Sequence, residues 1–160
     1  MRTIKKEEQH GENVVVSIVG MHRVGDEEGQ PQEIEVVSPG QYYEKGGKTY
    51  LTYSEFLDPN DPALETRATV KLEDGKVTLS RMGSIGTQMT FIQGQKSRVY
   101  YNTPFGMMEM GITTRRVKIQ RDEHRLQICI DYALEVNNQF NGANKITIHV
   151  ADHTQKVNLA

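Results

Sequence analysis

The 160 residues carry 19 basic and 21 acidic side chains, a net charge of −2 that leaves nucleic acid and acidic membranes out of the expected partners. Val, Ile and Thr supply 38 residues and Ala and Leu only 14, so residues suited to a pleated sheet outnumber good helix formers. One cysteine, Cys129, excludes an internal disulfide framework and a cysteine-based zinc site, and no apolar run reaches the ~20 residues of a membrane-spanning helix.

Residues 1–12 are charged and aperiodic and read as a flexible N-terminal arm. They lack the apolar segment of a signal peptide, so a cytoplasmic location is expected. A single domain is expected over 13–151, followed by a tail at 152–160. Strands are expected at 13–23, 32–44, 48–57, 64–73, 76–83, 86–93, 96–103, 107–121, 124–136 and 144–151. Gly46-Gly47 and Asp74-Gly75 signal tight hairpins, and Asp58-Pro59-Asn60-Asp61-Pro62 signals a longer loop. Within 64–73, Ala68, Val70 and Leu72 share the inward face. Between 107 and 121 the phase flips: Met108, Met110 and Ile112 precede Val117 and Ile119. One extra residue near Thr113–Arg116, a β-bulge, produces that switch. The clearest alternation is Leu126, Ile128, Ile130, Tyr132, Leu134 and Val136, which means one buried face and one wet face. Ile146, Ile148 and Val150 repeat the pattern in the last strand.

An all-β antiparallel meander of eight to ten strands has to bury one face and hide its edges. Closing into a barrel does both, with a two-sheet sandwich as the alternative.

Function is most legible where the alternation fails. The inward set Val77, Leu79 continues to Arg81, and the set Leu51, Tyr53, Leu57 includes Glu55. A guanidinium and a carboxylate pointing into one interior are costly alone and tolerable as a hydrogen-bonded pair. They read either as an ion pair that fixes strand register or as a cavity mouth where Arg81 grips a carboxylate or phosphate. All seven tyrosines fall in expected strands, and Tyr53, inward beside Glu55, is the best candidate to line a pocket.

Other motifs read as structural. Met82, Met89, Met107, Met108 and Met110 have no Cys or His among them and read as core filling. His10, His124, His149 and His153 do not assemble, and the His149-x3-His153 spacing suits a helix rather than a strand, so no metal is expected. Arg115-Arg116-Val117-Lys118-Ile119-Gln120-Arg121 is the one basic run. It lacks stacking aromatics and reads as a solvated strand that resists edge association. No nucleophile elbow, zincin motif or phosphate-binding glycine loop occurs, so no catalytic residue and no cofactor is expected.

Taken in order, several segments carry a resemblance: Ser38-Pro39-Gly40-Gln41-Tyr42-Tyr43, Tyr53-Ser54-Glu55, Val77-Thr78-Leu79-Ser80-Arg81-Met82-Gly83 and Met89-Thr90-Phe91. Tyr101-Asn102-Thr103-Pro104-Phe105-Gly106, Met110-Gly111-Ile112-Thr113 and Tyr132-Ala133-Leu134 complete the series. In this order and spacing, across about 13–150, the chain resembles the YwiB-like bacterial proteins, a family of unknown function. Phe105 stands where the family pattern has tyrosine, and Ser38 where it has threonine. The resemblance implies a calycin-type, lipocalin-like barrel and supports the inward reading of Arg81 and Glu55. It implies no activity.

The first expectation is therefore a cytoplasmic small-molecule binding barrel with Tyr53, Glu55 and Arg81 at the site. The guanidinium would orient an anionic head group, in a cavity of roughly 300 Å³ or more. The second is a protein-interaction or assembly barrel with a filled interior, for which a homodimer is one form. An enzyme using Glu55 as base ranks below both, because an adjacent guanidinium works against a general base.

Overall fold

Period-two alternation organises nearly the whole chain. The computed structural model describes residues 11–23, 32–56, 60, 65–83, 86–103 and 105–152. Ten strands follow in sequence: β1 (Glu12–Arg23), β2 (Gln32–Lys45), β3 (Lys48–Phe56), β4 (Glu65–Glu73) and β5 (Lys76–Gly83). After them come β6 (Thr87–Phe91), β7 (Lys96–Thr103), β8 (Gly106–Arg121), β9 (Arg125–Val136) and β10 (Gln139–Asp152). The segments expected as arm and tail, 1–10 and 153–160, and most of the 58–62 loop lie outside the described residues. Among the described residues no helix is long and apolar enough to cross a membrane.

All ladders are antiparallel, in the order β6-β5-β4-β3-β2-β1-β10-β9-β8-β7. The first and last strands of the chain pair from Val14↔Asp152 to Arg23↔Ala143, which joins the two halves into one strip, and the strip rolls into a nearly closed barrel rather than the alternative sandwich. One seam remains, because no ladder joins β6 to β7 among the described residues. The turn between them docks on β8 instead: the Gly94 N–H donates to the Thr114 carbonyl at 2.8 Å, and the Thr114 N–H to the Gln95 carbonyl at 3.0 Å. That turn ends β6 at Phe91, two residues before the expected 93.

The core is the inward half of the alternation. Val14, Val16, Leu51, Ala68, Val70, Val77, Phe91, Ile128, Ile130 and Ile148 are all essentially solvent-free. Phe91 and Tyr132 meet tilted at 55° with ring centroids 5.1 Å apart, a favourable edge-inclined contact. The expected bulge is present, a register shift between Thr114 and Arg116 against β9 that leaves Arg115 as the extra residue. A second bulge, between Phe140 and Gly142, was not expected. β10 begins at Gln139 rather than 144 because Asn137 and Asn138 adopt left-handed φ of 50° and 68° and form a tight hairpin.

The methionine expectation needs correction. Met89 and Met110 are buried, but Met82 and Met107 are 72% and 68% exposed. Both follow the pleat: Met82 is next to inward Arg81, and Met107 is out of phase with inward Met110.

Candidate ligand-binding site

Strands β3, β4 and β5 place the three polar residues singled out above. Tyr53 pairs with Ala68, and Ala68 pairs with Arg81, in one row across the sheet. Ala68 has only a methyl group, so two long side chains fit either side of it. On the other side of Tyr53 lies Gly40. A Cβ there would stand 2.4 Å from the Thr52 carbonyl oxygen and 2.9 Å from Val16 Cγ2. A glycine in the Ser38-Pro39-Gly40 segment thus lets β2 press close behind the tyrosine.

Arg81 Nε donates to Glu55 Oε1 at 2.8 Å, and Arg81 Nη1 lies 4.0 Å from Met89 Sδ. The pair is part-buried, with side chains 26% and 20% exposed. It borders a cavity of about 290 Å³ whose other walls include Ile18, Val36, Leu79, Met89, Tyr132, Ile146 and Ile148. Tyr53 lines the same cavity and is only 2% exposed, and its hydroxyl has no hydrogen-bond partner among the described residues. Burial, then the Glu55 charge, push its ionisation well above the usual phenol range, with Arg81 partly offsetting them. The Tyr53 hydroxyl therefore stays a neutral donor. Thr87, the cross-strand neighbour of Arg81, is also buried, with no partner for its Oγ1 among the described residues.

The far end of β3 carries a separate polar cluster. Arg121 Nη2 donates to Thr49 Oγ1 at 3.0 Å, and its guanidinium pairs with Glu44 at 3.7 Å. The Tyr42 hydroxyl donates to Glu44 at 3.1 Å, and burial and the Glu44 carboxylate raise its ionisation.

All three candidate residues thus border one cavity. The apolar walls contributed by β1, β9 and β10 were not foreseen as lining. Their inward phase was readable, but which strands face β3 and β5 across the barrel depends on closure through β1 and β10. The histidines remain apart: His124 Nδ1 contacts Asp152 Oδ2 at 2.7 Å in the β8–β9 turn, and His149 faces outward. His22, not considered above, shares 2.7 Å with Asn144 Oδ1. His10 and His153 lie outside the described residues. Among the described residues no group of His, Cys, Asp and Glu has the arrangement of a metal site.

The family described as "Domain of unknown function (DUF1934)" matches residues 16–148. The chain is 28% identical over 123 residues to the "Uncharacterized beta-barrel protein YwiB" of Bacillus subtilis (strain 168), covering 77% of this chain and 84% of that protein. The crystal structure of the ywiB protein from Bacillus subtilis matches with a TM-score of 0.74 at 23% identity, over 88% of this chain and 92% of the other. That structural likeness speaks to fold alone.

Proposed function

The chain belongs to the DUF1934 family, and within that family of β-barrel proteins of unknown function we propose that it is a small-molecule binding module. The ligand class is a compact molecule with an apolar body and one anionic or strongly accepting head group. The single observation that carries this reading is the Tyr53 hydroxyl, a buried donor with no partner among the described residues, in the same cavity as the Arg81–Glu55 pair. Leaving such a group unsatisfied costs about 1–3 kcal/mol, and a ligand acceptor removes that cost. The apolar walls with a few convergent polar groups fit a ligand pocket, and a volume of about 290 Å³ sits at the small end of the range. We assign no catalytic residue. A cytoplasmic location fits a barrel built without disulfides, whose one cysteine is free.

Native mass spectrometry of gently purified protein tests the proposal. We expect a reproducible added mass of a few hundred daltons, absent from Arg81→Met and reduced in Tyr53→Phe. A clean apo mass in every preparation would sink it.

A second reading, a self-assembling barrel, draws support from Tyr100, Phe105 and Met107, which are exposed on the β7–β8 hairpin. Light scattering separates the two readings: a dimer dispersed by Phe105→Ser favours assembly, and a monomer leaves binding as the role.

A further inference from the structure

The basic run in β8 is not absorbed by the interior site, and the structure gives it a different setting. Arg115 and Arg116 line an outer groove of about 500 Å³ together with Arg23 from β1 and Lys145 from β10. Among the described residues Asp131 is the one acid in the lining, so there four cations face a single carboxylate. Lys145 and Arg116 are both cross-strand neighbours of Asp131. Neither reaches it within ion-pair distance among the described residues, and Arg23 and Arg115 likewise make no ion pair. Several cations elsewhere are paired: Lys48 and Lys71 with Glu73, Lys96 with Glu135, Arg98 with Glu109 and Arg121 with Glu44.

Two departures from regular pairing build this groove. The β8 bulge inserts Arg115 beside Arg116, so two consecutive arginines line one concavity instead of alternating across the sheet. The β10 bulge ends at Gly142, whose φ is +140°, and a Cβ there would stand 2.4 Å from the Arg23 carbonyl oxygen. Glycine at that point lets the end of β1 close on β10 and brings Arg23 to the rim. Both register shifts found in the sheet therefore flank one groove, and both add to its positive charge.

We infer that this groove is a second, exterior site for a small multiply charged anion of the phosphate class, such as a pyrophosphate-bearing metabolite. Arginine forks match phosphoryl oxygens in pairs, and four cations facing one carboxylate among the described residues call for more than one further negative charge. A nucleic-acid strand fits less well, because the outer face turns acidic next to the groove. Glu33 stands opposite Met21 and Glu35 opposite Val19, both exposed on β2. The inference does not depend on the interior cavity.

Calorimetric titration of the full chain with inorganic pyrophosphate at low ionic strength tests it. Saturable binding of one equivalent is expected, weakening as salt is raised. The double substitution Arg115→Gln with Arg116→Gln should weaken binding by at least about tenfold, which corresponds to about 1.4 kcal/mol. Lys145→Gln, on a different strand, should weaken it severalfold, whereas Arg81→Met should leave it unchanged. Thermal melts of each variant verify folding, and the exposed positions of Arg115, Arg116 and Lys145 keep the cost of changing them small. Absence of saturable binding by the unaltered protein overturns the inference, as does equal binding by the double variant. A single-stranded oligonucleotide that binds more tightly, with affinity growing with length, also overturns it in favour of nucleic acid.

Discussion

Arg81 and Glu55 meet across a strand to which neither belongs. Arg81 stands on β5 and Glu55 on β3, and the 2.8 Å contact passes over Ala68 and Thr66 of β4, their respective cross-strand neighbours. The contact ties together two strands that share no backbone ladder, beside the cavity. Removing one partner strands a part-buried charge, whereas removing both leaves none. Arg81→Met and Glu55→Gln should each lower unfolding free energy by about 1–3 kcal/mol. The double variant should lose less than the sum, giving a coupling energy of about 1–2 kcal/mol in urea titrations. Strict additivity would mean that the two side chains do not interact in solution.

Tyr53→Phe should act in opposite directions on stability and on binding. The substitution keeps the ring in its packed position and removes an unpartnered buried hydroxyl. The ligand-free protein should gain about 1 kcal/mol, read as a higher denaturation midpoint, while ligand retention falls. A clear loss of stability would mean that the hydroxyl has a partner in solution, such as an ordered water, and would weaken the binding proposal.

The same residue sets an alkaline limit. Its phenol ionises well above the usual range in the folded chain, mainly through burial, and near pH 10 in the unfolded chain. The stability contributed by the protonated group is complete below pH 10. Above it the unfolded chain binds fewer protons than the native one, so this residue's share of stability declines by about 1.4 kcal/mol per pH unit until the folded phenol ionises. Denaturant midpoints measured at pH 9, 10 and 11 should therefore fall more steeply for the unaltered protein than for Tyr53→Phe. Parallel curves would contradict the assignment.

Gly40→Ala should damage both fold and site. The added methyl would meet the Thr52 carbonyl at 2.4 Å and Val16 Cγ2 at 2.9 Å, so β2 must move away from the strand that carries Tyr53. A cost of about 1–3 kcal/mol is expected, together with weaker ligand retention than Ala substitution elsewhere on β2 produces. A neutral effect would show that β2 yields without strain.

Alternation made most of the strands legible, and the flip between Met110–Ile112 and Val117–Ile119 located the β8 bulge, because a phase change in a period-two pattern has few other causes. Arg81 and Glu55 stood out for the same reason, as charges on an apolar phase. The β10 bulge was hidden. Gln139, Phe140, Asn141, Gly142 and Ala143 carry no apolar period to interrupt, and the turn at Asn137-Asn138 contains none of the glycine that marked the hairpins at Gly46-Gly47 and Asp74-Gly75. The exterior groove was hidden more deeply. Lys145 comes beside Arg116 through the successive β10, β9 and β8 ladders, but Arg23 approaches Arg115 only because β1 pairs with β10, a meeting of opposite ends of the chain that local pattern does not encode.

The seam between β6 and β7 makes the barrel a linear strip whose spatial order differs from its chain order at one junction only. Opening the chain at Gln93-Gly94, and joining the end of β10 to the start of β1 by a short linker, would give a circular permutant. Its strands would run β7, β8, β9, β10, β1 and onward to β6, the order in which they already lie side by side. Every ladder would then join consecutive strands. The present chain must instead close a loop spanning almost its whole length before Val14 can meet Asp152. Lower contact order predicts faster folding for the permutant than for the parent, and places β1–β10 docking late in the parent's folding.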